Sequence, residues 1–456
     1  MPPPLFLTST LATSVIPVTG QPRLVYLLLE VGGGEGAHAL PVNLGLVIDS
    51  SDSMRIRLVT DEQFSELARH GQAKEVMTDG VPAFQITSIP NEMVSKFPRR
   101  IDYVAEALVI ASEYLRPADR FSLAAFAGRA LTLIPASAGT ERARLQQAAR
   151  DLEHLNLGDE THMAEGLALG FSEVQRNQSQ AYASRLILLT DGHTRDVNEC
   201  YAWARRAREA GFALTTMGIG NEFNEELLIP LADLTGGNAY YIEAPDQIPA
   251  AFRKELGVAL RISYKNVEIK LQLPSGVELR RVHRVLPELG AFDPGPNMNG
   301  SYALLFGNYD PAAPVALLLE FVIPPWRAGS YRLAQALLTW DDPDGGQARP
   351  YQRQDIVLLL AQDPSIPYNG RVMNIVEKVG AFKLGMQALE DVEHGDRGVA
   401  TLRLRQAATR LLDMGETSLA DSMLQQALNL EKGGQVDPNA TKKLRYETRR
   451  LTHDLE

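Results

Sequence analysis

Apolar residues along this chain follow three successive patterns. Between Asn43 and Leu260, short apolar runs alternate with longer amphipathic segments; the runs are "NLGLVID", "RFSLAAFA", "ALTLIPA", "SRLILLTD", "FALTTMGIG" and "NAYYIEA". The intervening segments, among them "RIDYVAEALVIASEYL", "TERARLQQAARDLEHL", "HMAEGLALGFSEVQR", "VNECYAWARRAREA" and "PDQIPAAFRKELGVAL", have helical periodicity. The alternation predicts strands joined by crossover helices, that is, an α/β domain with a doubly wound parallel sheet. Continuous apolarity in several runs predicts helices over both faces. Ligands of such a sheet are expected beyond the carboxyl ends of its strands.

From Tyr264 to Leu360 the period changes to two. "NVEIKLQL" alternates Val267, Ile269, Leu271 and Leu273 with polar neighbours, and "SYALLFGNY", "VALLLEFVIP", "GSYRLAQALLTW" and "QDIVLLLA" follow between Gly and Pro turns. This predicts an antiparallel sandwich or barrel. The first forty residues also read as strands, for instance "LVYLLLEV". Pairing of these with the later region predicts that the α/β domain is inserted into an antiparallel β-sandwich. After "DPSIPYNG" four helical segments run to the end, separated by Gly, Asp and Pro signals, and predict a C-terminal α-helical bundle with Leu419, Met423 and Leu424 in its core. The expected boundaries are 1–40 and 262–362 for the sandwich, 41–261 for the α/β domain with an insertion at 55–98, and 363–456 for the bundle.

With 456 residues the chain is long enough for about three domains. No apolar run reaches the length of a membrane span, and "MPPPLFLTSTLATS" lacks the basic region of a secretory signal. A cytoplasmic location is the expectation. The formal net charge of -11 argues against nucleic acid or anionic lipid as a general partner. The basic segment "TKKLRYETRRL" is the exception, and its helical spacing predicts a solvated helix face. A single cysteine, Cys200, excludes an intramolecular disulfide and a cysteine zinc site, and is expected to be a packed thiol.

Candidate chemistry begins in "VIDSSDSM", where Asp49, Ser51 and Ser53 stand at alternate positions after the first strand of the α/β region. A loop turning over the strand end can direct these three side chains to one centre. Two more loops are expected at the same end, offering Thr161 from "GDETHMAEGL" and Asp191 from "LILLTDGH". Hard oxygen donors of this kind suit Mg²⁺, with Mn²⁺ or Ca²⁺ as alternatives.

These residues resemble the von Willebrand factor type A domain, whose metal-ion-dependent adhesion site uses a D-x-S-x-S loop, a threonine in a second loop and an aspartate in a third. Asp49, Ser51, Ser53, Thr161 and Asp191 match that pattern position by position, and the strand order agrees from Pro41 to Leu260. The resemblance implies a doubly wound, Rossmann-like domain that binds other proteins rather than an enzyme. It implies an ion held by hydroxyls and waters, with the aspartates often behind them, and a partner protein's Asp or Glu completing the coordination. Type A domains flanked in this way resemble intracellular bacterial assembly scaffolds, some of which accompany AAA+ ATPases or signalling kinases and phosphatases. An adaptor for an AAA+ ATPase and a metal-dependent hydrolase are the alternatives.

Two departures from that pattern stand out. Asp52 lies between the serines, and Asp159 and Glu160 precede Thr161 where the family commonly has glycine. Carboxylates facing the ion would weaken its attraction for an anionic partner; otherwise they face solvent. The insertion contains a helical piece, "TDEQFSELARH", and a predicted hairpin, "EVMTDGVPAFQI", turning at Asp79-Gly80, which could serve as a partner-selecting lid or as plain structural elaboration.

Other readings fail on chemistry. "VGGGEGA" contains G-x-G-x-x-A, but Pro41 and another strand follow instead of a helix, so a hairpin turn is predicted. A haloacid-dehalogenase nucleophile needs a second Asp two residues on, where Ser51 stands. Neither a P-loop nor a G-x-S-x-G elbow occurs. His162 and His193 are expected to be half-exposed loop residues.

Overall fold

The computed structural model describes residues 5–34, 38–57, 61–78, 81–86, 97–158, 160–341, 349–362, 364–432 and 438–452. The chain opens with β1 (Leu5–Leu11), β2 (Val15–Pro17) and β3 (Arg23–Gly33), then enters the α/β region at β4 (Val42–Asp49). Next come α1 (Asp61–Arg69), β5 (Ala73–Thr78), β6 (Val81–Ile86), α2 (Arg100–Tyr114), β7 (Arg120–Phe126), β8 (Ala130–Ala138) and α3 (Ala143–Asp151). The region continues through α4 (Met163–Arg176), β9 (Ala183–Thr190), α5 (Val197–Glu209), β10 (Ala213–Ile219), α6 (Glu225–Thr235), β11 (Ala239–Ile242) and α7 (Ile248–Ala259).

Six of these strands form one sheet in the order β11-β10-β9-β4-β7-β8. Every residue of β4, β9 and β10 is buried, which accounts for their continuous apolar sequences. Val42, Leu44, Leu46 and Ile48 of β4 pack with α2 and α7, whereas Val47 packs on the opposite face with α4. That second face is tight: a Cβ on Gly170 of α4 would come within 2.3 Å of Val47 Cγ2. The parallel prediction holds for five strands and fails at β8, which pairs antiparallel with β7. The connection from Phe126 to Ala130 is too short for a crossover, so the chain can only turn back.

In the inserted stretch, α1 and the antiparallel pair β5–β6 are present, in register from Ala73↔Ile86 to Thr78↔Val81. The proposed turn at Asp79-Gly80 lies outside the described residues.

Beyond the α/β region run β12 (Tyr264–Gln272), β13 (Glu278–Leu286), β14 (Gly290–Ala291), β15 (Ser301–Tyr309), β16 (Val315–Ile323), β17 (Gly329–Asp341) and β18 (Tyr351–Ala361). They join the opening strands in two sheets, β1-β3-β16-β13-β14 and β15-β12-β17-β18-β2. β3 pairs with β16 from Arg23↔Ile323 to Val31↔Val315, although the whole α/β region separates them in sequence. Leu27 and Leu29 of β3 share a core with Leu317 and Leu319 of β16, Ile269 and Leu271 of β12 and Leu338 of β17.

The helices α8 (Gly370–Glu393), α9 (Arg397–Asp413), α10 (Thr417–Glu431) and α11 (Pro438–Arg449) complete the chain. Their core includes Leu419 and Met423, with Leu424 packed at its margin, and it also takes in Leu28, Ala316 and Leu318 from the outer face of the first sheet. "LVYLLLEV" is therefore apolar on both faces because one meets the other sheet and one meets the bundle.

Two sequence expectations need correcting here. "VGGGEGA" closes no hairpin, since β3 and β4 belong to different sheets and the stretch leads from one to the other. The basic face of "TKKLRYETRRL" is not solvated: Lys442, Tyr446 and Arg449 are buried. Lys442 Nζ donates to Asn221 O at 2.6 Å and to Phe223 O, and pairs with Glu225 at 3.3 Å. Arg445 pairs with Glu226 at 2.8 Å and Glu393 at 2.5 Å. The acidic start of α6 supplies the counter-charges, so a basic helix of an acidic protein docks on its own chain.

Candidate functional site

At the end of β4 the backbone turns immediately. Ser50 N–H donates to Phe126 O at 2.8 Å, and a single helical turn spans Asp52–Arg55, anchored by Met54, which is fully buried. Asp49 lies beneath this turn and is 0% exposed. Its Oδ1 accepts from Ser51 N–H at 2.9 Å and its Oδ2 from the Thr190 hydroxyl at 2.6 Å. Ser51 Oγ and Ser53 Oγ are 3.0 Å apart, and the Ser53 hydroxyl donates to Asp191 Oδ1 at 2.7 Å. Asp49, Ser51, Ser53 and Asp191 are thus linked across the ends of the adjacent strands β4 and β9.

Thr161 arrives from the loop before α4. Its hydroxyl oxygen lies 3.7 Å from the position a Cβ would take on Gly192, the residue after Asp191. Its carbonyl accepts from Thr194 Oγ1 at 2.8 Å, and Asp196 Oδ2 accepts from Ala164 N–H at 2.9 Å. Thr194 and Asp196 therefore hold the second loop against the third.

The site concentrates negative charge in a dry place. Burial raises the Asp49 carboxyl above its ordinary range, against the bonds from Ser51 and Thr190. Asp191 is pushed up to about 6, first by burial and then by the charge of Asp49, with the Ser53 hydroxyl and Arg100 opposing. Arg100 was not singled out from the sequence. Its Nη1 donates to Asp191 Oδ2 at 3.0 Å and to Ser53 O at 3.0 Å. The available signal was two adjacent arginines opening a helix, against the sense of the helix dipole. Thr190 was likewise missed, although it directly precedes Asp191.

Of the additional carboxylates, Asp52 and Glu160 make no hydrogen bond to this network. Asp52 is exposed. Glu160 is exposed and pairs with His162 at 3.1 Å and Arg195 at 3.5 Å, while Asp159 lies outside the described residues. His193 is exposed and His162 half-buried. Cys200 is buried and its thiol is pushed far up by burial and by Asp196, as befits a packing residue. Among the described residues no group of three or more His, Cys, Asp or Glu is placed to hold a metal. A cation here has to rely on hydroxyl oxygens beside Asp49 and Asp191.

Residues 91–254 match the family model of the von Willebrand factor type A domain. This chain contains a type A domain. The matched stretch includes Thr161, Asp191 and Arg100, and begins after the loop of Asp49, Ser51 and Ser53. A second model, described as the Sll0103-like C-terminal alpha-helical domain, matches residues 370–454, which cover α8 to α11. The chain is 24% identical over 351 residues to the uncharacterised protein sll0103 of Synechocystis, covering 76% of this chain and 82% of that protein. It is 23% identical over 208 residues to the uncharacterised protein YfbK of Escherichia coli, which spans 44% of this chain but only 35% of that relative. Among solved structures, a von Willebrand factor type A protein from Catenulispora acidiphila superposes with TM-score 0.75 at 16% identity, over 98% of this chain and 97% of the other. The ArnB paralog VWA2 from Sulfolobus acidocaldarius gives 0.54 at 15% identity, with 99% of each chain covered. The likeness therefore extends beyond the type A domain to the flanking sheets and helices. Type A domains are in general protein-interaction modules, and nothing in these comparisons points to catalysis. Among the described residues, no helix is long and apolar enough to cross a membrane.

Proposed function

We propose that this protein is a metal-dependent protein-binding module, its type A domain inserted in a two-sheet sandwich and flanked by a helical bundle. Asp49, Ser51, Ser53, Thr161 and Asp191 would hold a Mg²⁺-class ion, with Mn²⁺ or Ca²⁺ as substitutes. The observation that carries the reading is the convergence of hard oxygens at one end of the sheet. Asp49, Ser51, Ser53 and Asp191 form one hydrogen-bonded network across the ends of β4 and β9, with the Thr161 hydroxyl beside Gly192, a donor set that suits a Mg²⁺-class ion.

Hydrogen bonding prepares these oxygens. The Ser53 hydroxyl donates to Asp191, so in the pair with Ser51 it is Ser51 that donates to Ser53, and the charged acceptor behind Ser53 makes its oxygen a better electron donor. Asp49 is fixed by Ser51 N–H and Thr190, so its charge stays under the loop without a side chain having to reorganise. When bound, the cation supplies a hard centre with strong affinity for anionic oxygen. The hydroxyl-rich donor set neutralises that charge less than an all-carboxylate cage does, and so favours a partner carrying an exposed Asp or Glu. With Asp52 exposed and Glu160 paired elsewhere, neither competes for this role.

The test is calorimetric titration of the purified protein with Mg²⁺, accompanied by capture of partner proteins with Mg²⁺ or with chelator. Ser51→Ala combined with Ser53→Ala is expected to abolish the heat of Mg²⁺ binding and the metal-dependent capture, with the circular-dichroism spectrum unchanged. Undiminished Mg²⁺ binding by that variant would sink the reading.

A further inference from the structure

We propose that Arg100 is a fixed internal cation that weakens metal binding at this site while keeping the occupied site positive, and so selects an anionic ligand. The inference rests on the metal-site reading above.

The placement of Arg100 is unexplained by the helix it begins. The amino end of α2 carries the positive end of the helix dipole, where a basic residue is unfavourable and an acidic one favourable. Arg99, one residue earlier, is compensated locally, with Asp102 accepting its backbone N–H at 2.7 Å and its Nη2 at 2.7 Å. Arg100 turns away from that pair and into the site. Its side chain is 16% exposed and that of Asp191 is 0% exposed, so the ion pair is largely out of water. Gly220, at φ +68°, lies against it, and a Cβ there would come within 3.5 Å of Arg100 Nη2. Arg100 Nε is buried with no hydrogen-bond partner among the described residues. A guanidinium held here with an unsatisfied N–H points to a local need for its charge.

Charge balance gives that need a functional meaning. Asp49 and Asp191 together carry two negative charges, and Arg100 offsets one of them. A divalent cation added to two carboxylates alone would make a neutral centre with no long-range pull on an anion. With Arg100 the two aspartates, the guanidinium and the ion sum to one net positive charge, at the cost of repelling the incoming metal. The same Nη1 ties Ser53 O to Asp191, so Arg100 also braces two of the three loops. Charge and bracing act in opposite directions on metal affinity, which allows them to be separated.

Titration of the full chain with Mn²⁺, followed by electron paramagnetic resonance, makes the test. Arg100→Gln is expected to bind Mn²⁺ at least roughly tenfold tighter than wild type, since a full charge is removed close to the ion. Its Mn²⁺-loaded form is expected to bind acetate, the carboxylate probe, more weakly than loaded wild type. Arg100→Lys keeps the charge and is expected to stay near wild type in both measurements. Unchanged or weaker Mn²⁺ binding in Arg100→Gln overturns the proposal in favour of bracing alone. Equal tightening in Arg100→Lys also overturns it, because charge then is not the cause, and this variant keeps the test decisive if Arg100→Gln does not fold. If wild type itself binds no Mn²⁺ that is lost in Ser51→Ala with Ser53→Ala, the underlying metal reading fails, a result distinct from failure of Arg100 alone.

Discussion

Asp49→Asn is expected to remove the whole effect of Mg²⁺ on the stability of this protein while leaving it folded. A ligand present at about 100 times its dissociation constant stabilises the state that binds it by about 2.7 kcal/mol, so wild type should gain that much in saturating Mg²⁺. Asn keeps an acceptor for Ser51 N–H, and the Thr190 hydroxyl can rotate to accept from the new amide, but the buried charge is lost. Asp49→Ala is the harsher variant. It strands the Ser51 N–H and the Thr190 hydroxyl in a dry site at roughly 1–3 kcal/mol each, partly offset because burial already disfavours the ionised carboxyl. Urea unfolding with and without Mg²⁺ separates the two effects. A full Mg²⁺ response in Asp49→Asn would remove Asp49 from the metal site.

The second large effect lies away from the proposed metal site, where α11 docks. Asp233 of α6 accepts two bonds from Arg449, at 2.8 and 2.7 Å, and one from Arg284 at 2.6 Å. Leu289 N–H donates to Arg449 O at 2.7 Å, so this one cluster joins the type A domain, the strand β13 and the last helix. The Arg449 and Arg284 side chains are 4% and 10% exposed. Asp233→Ala leaves both guanidinium groups buried without their shared partner and is expected to cost about 3–5 kcal/mol. Hydrogen exchange in 438–449 should then rise well above wild type. Unaltered melting and exchange would mean that the docking of α11 does not depend on Asp233.

The pH dependence of this cluster has a definite sign. Burial raises the Asp233 carboxyl, but Arg449 and Arg284 outweigh it and hold the group below its ordinary range. The stabilisation is therefore complete above the unfolded value of about 4 and is lost as pH falls through the lower folded value. Wild type should lose stability across that acid window by more than Asp233→Ala does.

The amino-acid sequence by itself determined the order of the elements and the residues of the candidate site. Continuous apolarity in "NLGLVID" and "SRLILLT" requires strands covered on both faces, and the period of two in "NVEIKLQL" requires a sheet with one face in a core. Asp49, Ser51, Ser53, Thr161 and Asp191 were legible because motif spacing and strand context are local properties. β8 was misjudged, since a strand has the same apolar signature whether it runs parallel or antiparallel; only the short connection from Phe126 to Ala130 sets its direction.

Tertiary structure alone decided the rest, because charge has no meaning in a sequence until its partner is known. Lys442, Arg445 and Arg449 recur at helical spacing on a solvated face and on a docked face alike, and the acidic partners Glu225, Glu226 and Asp233 lie more than 200 residues away. Arg100 is separated from Ser53 by an insertion and from Asp191 by a further 91 residues, and it reaches both only because β4 and β9 are neighbours in the sheet. Asp52 lies within the motif, yet it faces water because the helical turn at Asp52–Arg55 buries Met54 instead. Local spacing specifies which oxygens can reach a strand end, whereas the surrounding electrostatics depend on residues that only the completed fold brings together.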